Sequence, residues 1–146
     1  FLNTRAMILE LLKMGIVPII NENDTVSIDE IMFGDNDILA SKVAAMMDAD
    51  LLILLTDIDG LYSNNPKTNK RAKLISSLDE ESFDSQVIND SESQVSFGGM
   101  SSKINAALDV SKFGIPTIIA NGKNKNVLKD IFSYKDVWYR YNSKFY

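Results

Sequence analysis

Asp50-Leu51-Leu52-Ile53-Leu54-Leu55-Thr56, running on into Asp57-Ile58-Asp59-Gly60, is the stretch that decides the fold. Its apolar residues follow one another without alternation, so neither face of the element is meant for water. The run is too short for a helix and suits a central strand covered on both sides, as in a parallel sheet. Thr56 to Gly60 then supplies a polar cluster where that strand's carboxyl end would lie.

Upstream, Asn36–Asp48 carries Leu39, Val43, Met46 and Met47 at helical spacing, with Asp35 or Asn36 placed to cap its first N–H groups. Before it, Ile16–Ile20 reads as another buried strand, with Pro18 favouring an edge or starting position. It ends in Asn21-Glu22-Asn23-Asp24. Leu2–Met14 reads as a helix closed by Gly15. Downstream, 61–71 is a loop around Asn64-Asn65-Pro66. A short strand is expected at Lys73–Ile75 and helical turns at Ser77–Phe83. Gly98-Gly99 opens a third helix with Met100, Ile104, Ala107, Leu108 and Ser111 on one face and Gly114 at its end. Ile115–Ala120 is a further strand, stopped by Asn121-Gly122, and Asn126–Phe132 is a short helix. Strands alternating with helices over the whole length predict an α/β fold, with a mostly parallel sheet between helices in a single domain spanning 1–146.

Composition narrows the chemistry. The 146 residues contain neither cysteine nor histidine. Disulfides, thiolate metal sites and the commonest general base are excluded. The net charge of −5 argues against a general binder of nucleic-acid backbones. No apolar run reaches the ~18 residues of a membrane span, and Asn3, Arg5 and Glu10 interrupt any signal-peptide pattern.

Three clusters remain as candidate chemistry. Gly98-Gly99 ahead of Ser101, Ser102 and Lys103 fits a phosphate cradle, in which glycine backbone and a helix N-terminus meet an anion. A capped helix with a surface lysine has the same sequence. Thr56-Asp57-Ile58-Asp59-Gly60-Leu61-Tyr62 leaves a strand where nucleotides bind in doubly wound folds. A simple strand exit with a side-chain-to-backbone turn accounts for it equally well. Third, Asn21, Asn23 and Asp24 at one strand end, with Asp35, Asn36 and Asp37 at a helix start, exceed what capping needs. Such groups can read an ammonium, position a lysine, or hold Mg²⁺ through oxygen. A pair such as Asp37 and Lys103 meeting in one crevice would suit phosphoryl transfer, which needs positioning and positive charge more than covalent chemistry.

The segments IINENDTV (Ile19–Val26), FGDND (Phe33–Asp37), LLTDIDGLYSNNP (Leu54–Pro66) and GGMSSKINAA (Gly98–Ala107) resemble the amino acid kinase family, and within it the glutamate 5-kinases. The resemblance spans Leu2 to Phe132 and implies a three-layer αβα sandwich. It implies ATP- and Mg²⁺-dependent phosphorylation of L-glutamate to L-glutamyl 5-phosphate, the first step of proline biosynthesis, by a cytoplasmic homo-oligomer open to proline feedback. By the same resemblance, Asp24, Asn36, Asn21 and Asp35 would line the glutamate pocket. Thr56, Asp57, Gly98, Gly99, Met100, Ser102 and Lys103 would contact the nucleotide. Lys103 would stabilise the transferring phosphoryl group and Asp37 would organise it, with no protein-held metal. A related kinase of aspartate, acetylglutamate or uridylate, or a nucleotide-binding fragment that transfers nothing, are the alternatives. Phe97 stands where the family has threonine, and Ser102 replaces another. The lysine-bearing glycine-rich strand expected at the front of the family's domain has no counterpart here, so the chain reads as the C-terminal part of that domain, N-terminally truncated and inactive alone.

Overall fold

The computed structural model describes residues 2–21, 36–63, 70–75, 77–78, 100–133 and 139–141. Within them lie helices α1 (Leu2–Lys13), α2 (Asn36–Met47), α3 (Met100–Ser111) and α4 (Val127–Phe132), and strands β1 (Leu52–Thr56), β2 (Ser77–Leu78), β3 (Thr117–Asn121) and β4 (Tyr139–Tyr141). The strands form one sheet in the order β1-β3-β4-β2. β1 pairs with β3 in parallel, Leu52 opposite Thr117 and Thr56 opposite Asn121. β2 and β4 are also parallel, and only the β3–β4 pairing is antiparallel.

The pleat sorts the apolar run to two faces. Leu52, Leu54 and Ile119 face a cluster that includes Ala44 of α2 and Met100, Ile104, Ala107 and Val110 of α3. Ile118 and Ala120 pack with Val127 and Ile131 of α4, and Leu51 and Ile53 join them. Adjacent residues of one strand therefore enter different cores, which is why the run shows no alternation. The result is helix, sheet and helix in three layers. α2 packs along α3, with small residues, Ser41 and Ala44 on α2 and Ala106, Ala107 and Ser111 on α3, buried. The two buried serines satisfy themselves by donating to Ile38 O (2.8 Å) and Leu108 O (2.7 Å).

α1, α2 and α3 end alike. Gly15 and Gly114 have φ of +74°, and Asp48 has φ of +55°. After each, the next N–H reaches five residues back: Ile16 to Leu11 O, Ala49 to Ala44 O and Ile115 to Val110 O. This left-handed closure satisfies orphan carbonyls of the last turn. Arg5 of α1 adds a side-chain cap, its Nε donating to Met46 O at 2.9 Å.

Several expectations change. Ile16–Ile20 lies in no strand; Ile19 is 96% exposed and Val17 81%. A strand needs a partner for its N–H and C=O groups, and apolarity alone does not supply one. Among the described strands β1 has one neighbour, β3, and Leu55 is exposed. Residues 73–75 form a single antiparallel bridge, Tyr62 with Leu74, supported by Ile75 N to Leu61 O and Ser63 N to Lys73 O. Ser77–Leu78 is a strand where helical turns were expected; 79–83 fall outside the described residues. The stripe read on α2 is also rotated. Leu39, Val43 and Met47 line a cavity with Pro18 and Ile20, and Ser41 and Ala44 are the residues buried.

Candidate active site

Two helices lead directly into the two parallel strands, α2 into β1 and α3 into β3. Each helix has 12 residues and each strand five, so they measure about 18 Å and 17 Å. A helix that runs back along its sheet over that length brings its first turn level with the carboxyl ends of the strands. Asp37 and Lys103 both occupy first turns, and Thr56 and Asn121 are the strand ends.

Asp37 and Lys103 meet. Lys103 Nζ lies 2.8 Å from Asp37 Oδ2, with only 14% and 17% of the two side chains exposed. Ser102 Oγ donates to the same oxygen at 3.1 Å. The two partners differ in their fit to the local field. A helix N-terminus carries partial positive charge, which favours the carboxylate of Asp37 and opposes the ammonium of Lys103. Among the first-turn residues of α3 there is no acidic group to relieve Lys103. The compensation comes from α2. Ion pairs as sheltered as this one carry a desolvation cost that geometry and added hydrogen bonds must offset.

Asn21 and Asn36 also come together. Both are exposed residues at the wall of a cavity of about 380 Å³, whose remaining lining is Pro18, Ile20, Leu39, Ala40, Val43, Ala44, Met47, Ala49 and Leu52. Thr56 is half-buried and Asp57 exposed at the end of β1. Met100 is buried in the core, so its side chain packs and only its backbone is left for a ligand. Asp24, Asp35, Gly98 and Gly99 lie outside the described residues.

Sequence reasoning missed one link. Asn121 Nδ2 donates to Asp59 Oδ1 at 2.9 Å, and its Oδ1 accepts from Lys123 N at 2.9 Å. Gly122 N donates to Thr56 O at 2.9 Å. A Cβ on Gly122 would come 3.2 Å from Leu55 Cβ. The loops after β1 and β3 are thus clasped together. Asn121-Gly122 reads in sequence as a strand stop only; its pairing with Thr56 through the sheet register is what gives it a second role.

An αβα sandwich with a sheltered Asp–Lys pair at two helix starts, beside the strand ends of a parallel sheet, defines the class. The chain belongs to the amino acid kinase family, whose pattern matches residues 2–121. It is 46% identical over 138 residues to the glutamate 5-kinase of Geobacter sulfurreducens, covering 94% of this chain and 37% of that protein. With the glutamate 5-kinase of Syntrophus aciditrophicus it shares 50% over 133 residues, covering 90% of this chain and 34% of that one. The chain therefore spans little more than a third of the length of these curated relatives. Among solved structures, the UMP kinase from Bacillus anthracis matches with a TM-score of 0.70 at 20% identity, over 94% of this chain and 50% of that one. That likeness speaks for the fold alone.

Proposed function

We propose that this chain supplies the phosphoryl-transfer half of a glutamate 5-kinase, acting on the side-chain carboxylate of L-glutamate with ATP. The sheltered Asp37–Lys103 pair carries the reading. In this reaction a glutamate carboxylate oxygen bonds to the γ-phosphorus. The bond from that phosphorus to the β,γ-bridging oxygen breaks, and ADP leaves with the electron pair. Negative charge moves onto the transferring oxygens and the leaving group, and a fixed ammonium stabilises it there. Lys103 is that ammonium and Asp37 aims it. Thr56, Asp57, Gly98, Gly99 and the Met100 backbone hold the nucleotide. Asn21, Asp24, Asp35 and Asn36 hold glutamate, through acceptors for its ammonium and amide donors for its carboxylates.

Mg²⁺ accompanies ATP in this reading. Among the described residues no three acidic groups gather into a cage, and Asp37 Oδ2 already accepts from two donors. The ion would ride on the phosphate oxygens of the nucleotide and keep most of its waters. Inhibition by proline at the glutamate pocket, assembly into a homo-oligomer and a cytoplasmic setting belong to the same proposal. No helix among the described residues is long and apolar enough to cross a membrane.

The test is a panel of glutamate, aspartate, acetylglutamate and UMP with ATP consumption as readout, run on the chain alone and on the full-length protein. Glutamate should be the preferred acceptor in the full-length protein, and Lys103→Ala should reduce its turnover by at least about 100-fold, the scale of losing one charge-stabilising donor, with circular dichroism unchanged. Preference for another acceptor, or near-normal turnover in Lys103→Ala, contradicts the assignment. Nucleotide binding without transfer by either length would favour a binding role.

A further inference from the structure

We propose that Asn121 is a positioning residue for the nucleotide: by tying the loop after β3 to the loop after β1, it sets the place of Asp57 and with it the affinity for ATP. This rests on the kinase reading above, which gives Thr56 and Asp57 to the nucleotide. β1 and β3 end in register, Thr56 opposite Asn121. Past that last pair, bonds continue to cross from one loop to the other. Gly122 N donates to Thr56 O at 2.9 Å, and Asn121 Nδ2 donates to Asp59 Oδ1 at 2.9 Å. Asp57 stands between these two tethers, outside the carboxyl ends of parallel strands, where ligands of such sheets bind. Ile58 packs against the core and Leu61 is buried in it, whereas Asp57 and Asp59 are exposed. Apolar packing holds the loop down but has no direction of its own. A hydrogen bond does, and the one from Asn121 fixes the loop sideways, along the rim. The residue type suits the task. A carboxylate only accepts and a backbone N–H only donates. A side chain that serves both Asp59 and Lys123 N, each at 2.9 Å, must therefore present a donor and an acceptor together. A carboxamide does so, in one orientation only. The clasp lies outside both apolar clusters, so its loss should be felt in ligand affinity far more than in stability.

Exchanging the two partners tests this. Asn121→Asp alone sets two carboxylates against each other and breaks the clasp. Adding Asp59→Asn restores it: the new amide at 59 donates to the new carboxylate at 121, which still accepts from Lys123 N, and the total charge is that of the unaltered protein. The full-length protein, the single variant and the double variant are titrated with ATP by calorimetry and assayed for both Michaelis constants. Asn121→Asp should raise Kd for ATP roughly tenfold, the scale of one hydrogen bond to a charged group, and leave KM for glutamate within about twofold. The double variant should return Kd to within about threefold of the unaltered value, the coupling expected of two residues in contact. An unchanged Kd in the single variant overturns the inference. So does a double variant that binds no better than the single, since a charge at 121 would then be acting on the nucleotide directly. An equal rise in both Michaelis constants together with a lower Tm also overturns it, being the mark of general loosening. If the unaltered protein binds ATP but transfers nothing to glutamate, the kinase reading falls, and the three Kd values still decide the role of Asn121. If it binds no ATP, both fall together.

Discussion

Asp37 and Lys103 are unequal partners. Remove Lys103, and Asp37 is still a carboxylate in the first turn of a helix with the Ser102 hydroxyl bonded to it. Remove the charge of Asp37, and Lys103 is an ammonium in the first turn of α3, largely sheltered, with the field of its own helix against it. Asp37→Asn should therefore destabilise the fold by about 1–3 kcal/mol, and Lys103→Met by less than about 1 kcal/mol. Urea unfolding of the two variants and the double variant checks this; equal losses would mean that the helix ends contribute little. The meeting of these two residues could be anticipated from sequence as a possibility, since a carboxylate and a lysine each opened a helix. That both use one oxygen, and that Ser102 shares it, depends on how α2 lies along α3, which no local pattern encodes.

At the level of elements, the helices were legible because their signals are local: apolar spacing within 12 residues, and a glycine just past the end. α2 has the same closure without the glycine. Asp48 takes the left-handed conformation that glycine adopts freely in α1 and α3, at a cost to a residue with a Cβ. Asp48→Gly should raise stability by roughly 0.5–1 kcal/mol, the measured scale of that conformational penalty net of glycine's greater freedom when unfolded. Thermal unfolding should show a higher Tm; a lower Tm would mean that the Asp48 side chain contributes a contact of its own. The short strands were harder to read. Ser77–Leu78 and Tyr139–Tyr141 are two and three residues long and exist because they pair with each other in parallel and because Tyr139–Tyr141 pairs antiparallel with β3. Neither has enough sequence to announce itself, and partners more than 60 residues apart are invisible to a local window.

Taken whole, the architecture followed from strand–helix alternation, and the parallel β1–β3 pair with helices on both faces agrees with it. The partner of β1 in the sheet did not follow, because five apolar residues state that a strand is covered without stating by what. Ile16–Ile20 shows the same limit from the other side: it is apolar enough to be a strand, and yet Val17 and Ile19 face solvent. An exposed apolar run is a template for association between molecules. Ile19→Lys should raise the soluble concentration of the chain several-fold and leave its Tm unchanged, with light scattering as the readout; unchanged scattering would mean that association runs through another surface. α2 and α3 start side by side, so their positive ends add at one rim of a molecule whose net charge is −5. A polyanion is repelled from afar and drawn in only within a Debye length of that rim, about 8 Å at physiological salt. Capture is then a matter of last-moment orientation, and long-range steering has little part in how fast it happens.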